Sequence, residues 1–597
     1  MIETLRETFS LISTNLRFGV LRLQFVMIVA AISEVCGIAA IGPFMALASD
    51  PTLIESSLIY NSLYNFLSLE TYAEFILIVG VIVIAILTVS AIISTFSVKF
   101  INYYAQLIGA ELSSDLLESY LKSNWLFHTT RNSNELIANI TGECSRLTSG
   151  IIIPFLNLNA KTIIAISIIS FLFWIDFFIT TIGIVLFALL YFLIFFIVKA
   201  RLSIHSKEIR KTAVARYRAA GEGLGGIKDL LIYGRTNYYN KIFRENSREF
   251  AKAQGAASAL GEIPKYWVEF CAFGVMITLV IFLSYGLESS FNTFLPKLAM
   301  FAMASYKLIP AFQQIYISAS NIRVSKSALD IIGDDLKNNK FHIRADNHTS
   351  REFNDLSIKL TSVSFSYPDT DSLVLDNINL SLEQNLMYGF VGPSGSGKSS
   401  LVDIIMGLII PTSGTLSIGG NHLKTFSSLK DWQRYIGYVP QSVYLVDNTI
   451  RKNIAFSIDD QDIDDSRIEE VIQIAQLSDF VASLPEGVNT LVGDKGVQLS
   501  GGQRQRISIA RALYSKPSVL VLDEATSALD GPTEAKIMEA INSLSKFMTI
   551  LIIAHRINTV KKCSNIFFLE DGKIIDEGNY EKLYESNQRF KDLSKLS

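Results

Sequence analysis

The sequence predicts a six-span α-helical membrane domain followed by an α/β domain built around a phosphate-binding loop. Three observations carry this prediction. Apolar residues make up 49% of the 597 and charged residues 18%, and the long apolar runs fall within residues 1–320. Gly392–Ser399 reads Gly-Pro-Ser-Gly-Ser-Gly-Lys-Ser. Val519-Leu520-Val521-Leu522 is a buried-strand pattern that ends in Asp523-Glu524. The length exceeds one domain, and the expected division is 1–335 for the membrane domain, 336–354 for a linker and 355–597 for the α/β domain.

A span needs about 20 mostly apolar residues. Six stretches qualify, near 20–48, 75–98, 150–174, 177–199, 266–287 and 294–318, with only Ile175-Asp176 between the third and fourth. The first is too long for a cleaved leader. Residues 49–74 hold four acids and no Lys or Arg, whereas residues 200–265 hold thirteen Lys or Arg against six acids. By the positive-inside rule, 49–74 is outside, 200–265 is inside, and both termini and the α/β domain are cytoplasmic.

Residues 99–149 and 200–265 carry helical patterning, so they extend the spans into the cytoplasm. Each is broken once, near Asn124–Ser133 and at the glycines Gly221, Gly223, Gly225 and Gly226. Such a break suits either a short cross-helix that touches the α/β domain or an ordinary turn.

The net charge of −3 is too small to point to a nucleic-acid partner. Cys36, Cys144, Cys271 and Cys563 show neither metal-ligand spacing nor a disulfide framework.

The run Gly392, Pro393, Ser394, Gly395, Ser396, Gly397, Lys398, Ser399 and Ser400 has the composition of a nucleotide phosphate cradle. Its glycines let backbone amides and the following helix N-terminus face an anion. Lys398 would reach the β- and γ-phosphates of ATP, and Ser399 would place its hydroxyl on Mg²⁺. Asp523, at a strand tip, would hold the metal through water, and Glu524 would polarise the attacking water.

These motifs, with Leu499-Ser500-Gly501-Gly502-Gln503 about a hundred residues after the loop, resemble the nucleotide-binding domain of ATP-binding cassette (ABC) proteins. With six preceding spans, the whole chain resembles a type I ABC exporter half-transporter. The resemblance implies further roles. Tyr367 would stack on adenine. Gln441, in Tyr438-Val439-Pro440-Gln441, would meet Mg²⁺ and sense the membrane domain. His555 would contact the γ-phosphate. Asp530, in Ser527-Ala528-Leu529-Asp530, would lie on a loop crossing a dimer interface. Gly493-Asp494-Lys495-Gly496 has Asp where exporters usually carry a Glu-containing loop. Ser500, Gly501, Gly502 and Gln503 would face the nucleotide of a second copy, which makes the working unit a homodimer with two composite ATP sites.

Two features bear on cargo. In 49–74, Leu53, Ile54, Leu58, Ile59, Leu63, Phe66 and Leu67 recur at helical spacing, which predicts an amphipathic outer helix. It suits either a lipid tail or a cap on the spans. Inside the membrane, Glu34, Lys161 and Lys307 sit at similar depth, roughly 20 Å below the outer face. Lys99 and Lys265 lie nearer the inner interface, where Lys can snorkel. Such charges line a cavity for a pyrophosphate, or Glu34 neutralises one of the lysines. Ile41–Asp50 and Tyr306–Ile315 resemble the first and sixth spans of bacterial lipid-linked oligosaccharide flippases, which also carry an outer helix after span one. That resemblance implies an inner-membrane flippase for a polyprenyl-diphosphate-linked glycan, with membrane lipid as a further partner. An exporter of peptides or amphipathic drugs and a membrane-anchored regulatory ATPase are the alternatives.

Overall fold

The computed structural model describes residues 2–11, 14–52, 54, 57–66, 71–286, 291–340, 352–368, 370, 372–423, 425–493, 496–526, 529–554 and 556–596. The chain divides into two compact units. One comprises Met1–Ser123 and Arg131–Ile343, the other Asn124–Thr130 and Arg344–Ser597.

In the first unit, every predicted span falls on a long helix. The first is Thr14–Ser49, the second Tyr72–Leu121, and the third lies in the continuous helix Ser133–Ile175. Among the described residues these three have the length and composition to cross a membrane. The fourth, fifth and sixth predicted spans lie in Phe177–Gly225, Thr236–Gly286 and Phe291–Val324, with residue 287 outside the described residues.

Asp176 makes the third-to-fourth turn. It ends one helix and caps the next, its carboxylate accepting from the amides of Phe178 and Ile179, 3.2 Å each. Lys297 pairs with it at 3.3 Å. The first, third and sixth span helices share one buried apolar cluster of Ala31, Ile38, Ile164, Ala165, Ile168, Leu172, Ala304 and Leu308. The fourth and fifth run against each other.

The expected breaks are present in modified form. A short helix, Trp125–Thr130, occupies the first. In the second, the helix continues through Gly221, Gly223 and Gly225 and stops at Gly226, where Ile227–Ile232 begins. Three of the four glycines are thus tolerated inside a helix, and only the last is a break. Outside, Leu58–Phe66 is helical, with Leu63 and Phe66 exposed and the Tyr64 ring edge-on to Phe75. Leu53 and Leu67 lie outside the described residues.

The second unit holds two sheets. A four-stranded antiparallel sheet has the order β2-β1-β4-β5, formed by Leu375–Leu382, Ile358–Phe365, Ser413–Ile418 and Asn421–His422. A six-stranded sheet has the order β10-β9-β3-β8-β7-β6. In it, β3 (Met387–Val391), β6 (Ile436–Val439), β7 (Val519–Asp523), β8 (Thr549–Ile553) and β9 (Asn565–Glu570) are parallel neighbours, and β10 (Lys573–Gly578) is antiparallel to β9. Helices cover both faces, so β3 and β8 are buried along their whole length. Each fully buried aliphatic side chain adds roughly 1.5–3 kcal/mol, which makes these strands the rigid base from which the loops at their C-terminal ends project.

Candidate ATP site

The phosphate loop follows β3. Two of its glycines are required sterically. A Cβ on Gly392 would sit 2.0 Å from the Leu569 carbonyl oxygen, and one on Gly397 2.9 Å from that of Val374. Gly397, at φ 94°, also turns the chain into the helix Lys398–Ile405. Pro393, Ser394, Gly395 and Ser399 are exposed at the rim. The buried Lys398 ammonium donates to the carbonyls of Gly392 (2.9 Å) and Pro393 (2.7 Å) and to Ser396 Oγ (3.4 Å), which holds it within the loop. Burial lowers its pKa, opposed by the charges of Glu524 and Asp523.

Those carboxylates come from β7. The strand order places β8 between β3 and β7, so the loop and the acidic pair approach from two strands apart. Glu524 is held by its amide, which donates to the Ile553 carbonyl at 3.1 Å, and it adopts φ 47°. Its side chain accepts a 2.7 Å hydrogen bond from Gln441 Nε2. Gln441 follows β6, the neighbour of β7, which explains how residues far apart in sequence meet. Gln505 Nε2 reaches the Glu524 carbonyl at 3.5 Å.

Two further groups at this edge were not evident from the motifs. Tyr438 donates to Asp523 Oδ2 at 3.4 Å, and burial together with the charges of Asp523 and Asp403 pushes its phenol up. Asp403, on the helix after the phosphate loop, has a carboxyl pushed up to about 6 by burial and by Asp523. A hydrogen bond from Trp125 opposes that shift. Leu126, beside Trp125 on the short helix at the first break, packs against the apolar core formed by residues such as Phe365, Leu401 and Trp432. An aromatic residue at a helix break and an acid on the helix after a phosphate loop were the available signals for this pair.

Tyr367 packs edge-on to Phe365 (4.9 Å between ring centres) and lies 3.1 Å from Ser400 Oγ, beside the phosphate loop. Ser500 and Gln503 form a reciprocal cap on the helix Gly501–Tyr514. Gln503 Oε1 accepts from the Ser500 amide at 2.8 Å, and Ser500 Oγ accepts from the Gln503 amide at 3.2 Å. Asp530 likewise caps Gly531–Leu544, accepting from Thr533 N (3.3 Å) and Oγ1 (3.0 Å), which lowers its pKa. His555, Ser527, Ala528, Asp494 and Lys495 lie outside the described residues.

Among the described residues, no set of three or more His, Cys, Asp or Glu side chains forms a metal cage. The arrangement fits a metal of a different kind. Mg²⁺ takes one or two carboxylates and completes its shell with water and substrate phosphate, and Asp523 beside the loop offers that.

The membrane charges divide into two kinds. Glu34 is 8% exposed and accepts from Ser94 Oγ at 3.3 Å. Lys265 lies 3.8 Å from Glu269, one turn along its own helix. Among the described residues, Lys99, Lys161 and Lys307 have no ion-pair or hydrogen-bond partner. Lys99 is exposed, whereas Lys161 and Lys307 are half-buried. Neither lysine at Glu34's depth neutralises it.

Comparison with known proteins places these features in a family. A family model described as "ABC transporter transmembrane region" matches residues 39–308, and one described as "ABC transporter" matches residues 375–527. The heterocyst differentiation ATP-binding protein HepA of Nostoc sp. strain PCC 7120 is 31% identical over 522 residues, covering 84% of this chain and 82% of that protein. An ATP-dependent lipid A-core flippase of Ralstonia nicotianae is 28% identical over 501 residues, covering 83% of each chain. Among solved structures, a bacterial Atm1-family ABC exporter with ATP bound superposes with a TM-score of 0.77 over 96% of this chain and 98% of that one, at 21% identity.

Proposed function

We propose that this chain, which belongs to the ABC transporters as a half-transporter of the exporter type, flips a polyprenyl-diphosphate-linked oligosaccharide outward across the bacterial inner membrane. It is an ATP-hydrolysing transporter of the membrane. The choice of cargo rests on Lys161 and Lys307. An ammonium held among apolar helices costs about 2.5–3.5 kcal/mol at mid-span, so such a group is retained where it meets water or an anion.

Helical spacing puts both lysines beside the cluster shared by spans one, three and six. Lys161 is one turn from Ile164 and Ala165, and Lys307 is one turn from Ala304. Glu34, between Ala31 and Ile38, borders the same cluster but is occupied by Ser94. The two lysines are therefore the groups left to receive a pyrophosphate. The lipid A-core flippases among the relatives carry names that pair a lipid with a core, which is compatible with an amphipathic glycolipid. The exposed Leu63 and Phe66 of the outer helix supply an apolar surface for its tail.

In the motor, backbone amides of residues 394–397 and Lys398 hold the β- and γ-phosphates, and Tyr367 supports the adenine. Ser399, Asp523 and Gln441 would hold Mg²⁺, which neutralises developing phosphate charge. Glu524 accepts a proton from the attacking water, and its bond from Gln441 aims the carboxylate. His555 meets the γ-phosphate. Ser500–Gln503 and Asp530 serve the site of a second copy, with their side chains shaping the helix ends and the amides of Gly501 and Gly502 facing the nucleotide. The short helix Ile227–Ile232 also points to a second copy. Leu231 and Ile232 are 66% and 68% exposed within one chain, and burial on another copy's ATPase unit would cover them. The ATPase unit faces the cytoplasm by the Lys and Arg bias of residues 200–265.

The test is ATPase activity in proteoliposomes supplied with polyprenyl-diphosphate-linked glycan, lipid A-core, or amphipathic peptides and dyes. Stimulation by the first alone is the expected result. Stimulation only by peptides or dyes overturns the cargo assignment, and stimulation only by lipid A-core moves it to that glycolipid.

A further inference from the structure

The chain passes between its two units after Ser123, after Thr130 and after Ile343. A single buried carboxylate gathers residues near all three passages. Asp335 is 5% exposed and lies on Lys326–Lys340, the last described helix before the ATPase unit. Its Oδ2 accepts from the Tyr120 hydroxyl at 2.5 Å and from Asn139 Nδ2 at 3.5 Å, and its Oδ1 accepts from Arg131 Nη1 at 2.9 Å. Asn139 also donates to the Tyr120 oxygen at 3.3 Å. Tyr120 ends the second span helix just before the first passage. Arg131 is the first residue after the second passage.

Physical chemistry says this knot is specified rather than incidental. Tyr120 and Asn139 are 2% and 6% exposed, so each polar atom exchanged water for a defined partner. Burial and the bond to Asp335 push the Tyr120 phenol up, keeping it a donor. The Arg131 side chain is 37% exposed, so its pair with the buried Asp335 is poor evidence for stability and better suited to fixing register. Asn139 also opens a π-helical segment, Asn139–Glu143, and a second follows at Thr148–Ile152. Such segments are places where a helix can change its pitch.

We infer that Asp335 is a positioning residue for coupling, tying the helix that leads into the ATPase unit to both flanks of the short helix Trp125–Thr130. Movement of that short helix with the ATPase unit is thereby passed to the second and third span helices together. Without the carboxylate, Arg131 and Tyr120 lose their common tie to the helix Lys326–Lys340, and less of the motion reaches the spans. This rests on ATP-driven movement and not on the cargo proposed above.

The experiment uses the full chain with Mg²⁺ and ATP plus vanadate, and follows hydrogen exchange in the span helices and in the ATPase unit. Wild type is expected to show a nucleotide-dependent change in both. Asp335→Asn, which keeps the shape and one acceptor oxygen but turns the other into a donor and removes the charge facing Arg131, is expected to keep the change in the ATPase unit and basal hydrolysis while losing it in the spans. A merely structural role would alter both regions alike. Transmission equal to wild type overturns the inference, as does a wild type whose spans do not respond. If Asp335→Asn does not fold, Arg131→Gln carries the same test with the same outcomes, since it leaves Tyr120 and Asn139 on the carboxylate. The probe is nucleotide alone, so a wrong cargo leaves the result readable.

Discussion

The membrane half exposes what the ATPase half hides. Phe18, Phe25, Leu77 and Ile84 are 68%, 70%, 65% and 64% exposed, whereas Val519, Leu520 and Val521 are fully buried. In the membrane half large apolar side chains lie on the outside, as suits a lipid surround, and polar groups such as Glu34, Ser90 and Ser97 turn inward. In the ATPase half the sheet is dry and chemistry sits at strand ends. The contrast teaches where selectivity can reside. Under the proposed function, phosphate chemistry belongs to a rigid sheet edge, while cargo recognition would depend on a few polar groups whose worth comes from their apolar surroundings.

The contrast can be broken most decisively at the strand edge. Glu524→Gln should slow hydrolysis by about 10²–10⁴-fold, the usual worth of a general base, while nucleotide still binds. Phosphate release and retention of labelled ATP measure this, and an unchanged rate would remove Glu524 from the role. In the membrane half, Lys161→Ala combined with Lys307→Ala should weaken stimulation by the lipid-linked glycan about 10–100-fold, since bonds to charged groups are worth about 1.5–3 kcal/mol. Basal hydrolysis should persist, and full stimulation would count against the lysine site. Leu231→Asp with Ile232→Asp places charge on an exposed apolar helix and should weaken association of copies about tenfold, read by light scattering in detergent. The smallest effect is expected from Ser94→Ala, which leaves the buried Glu34 without its hydroxyl donor. A loss of about 1–2 kcal/mol should appear as a modest fall in Tm, and no change would mean another group serves Glu34.

The two halves also differ in how far the residues alone disclose them. Gly392, Gly397 and Lys398 could be read directly, because a phosphate cradle tolerates few residue types and the clashes at Gly392 and Gly397 show why. The six spans could be read because hydrocarbon thickness sets their length. The position of the second break was harder. Gly221, Gly223 and Gly225 look like breakers, yet the helix runs through them and ends only at Gly226. Spatial pairings were hidden, since no local pattern links Trp125 to Asp403 or Tyr120 to Asp335. Ser500 and Gln503 illustrate a different gap. Their motif signals nucleotide chemistry, while their side chains also perform a helix-capping task that the same spacing encodes.

Glu524 sits at φ 47°, a backbone region that costs a side-chain-bearing residue roughly 1–2 kcal/mol. Glycine would occupy it without strain. Glu524→Gly should therefore give a protein that melts higher and hydrolyses ATP about as slowly as Glu524→Gln. Thermal screening of random variants would favour that slow protein over the working one. Laboratory evolution of this chain for heat resistance would need a simultaneous demand for hydrolysis, because at this position durability and work pull in opposite directions.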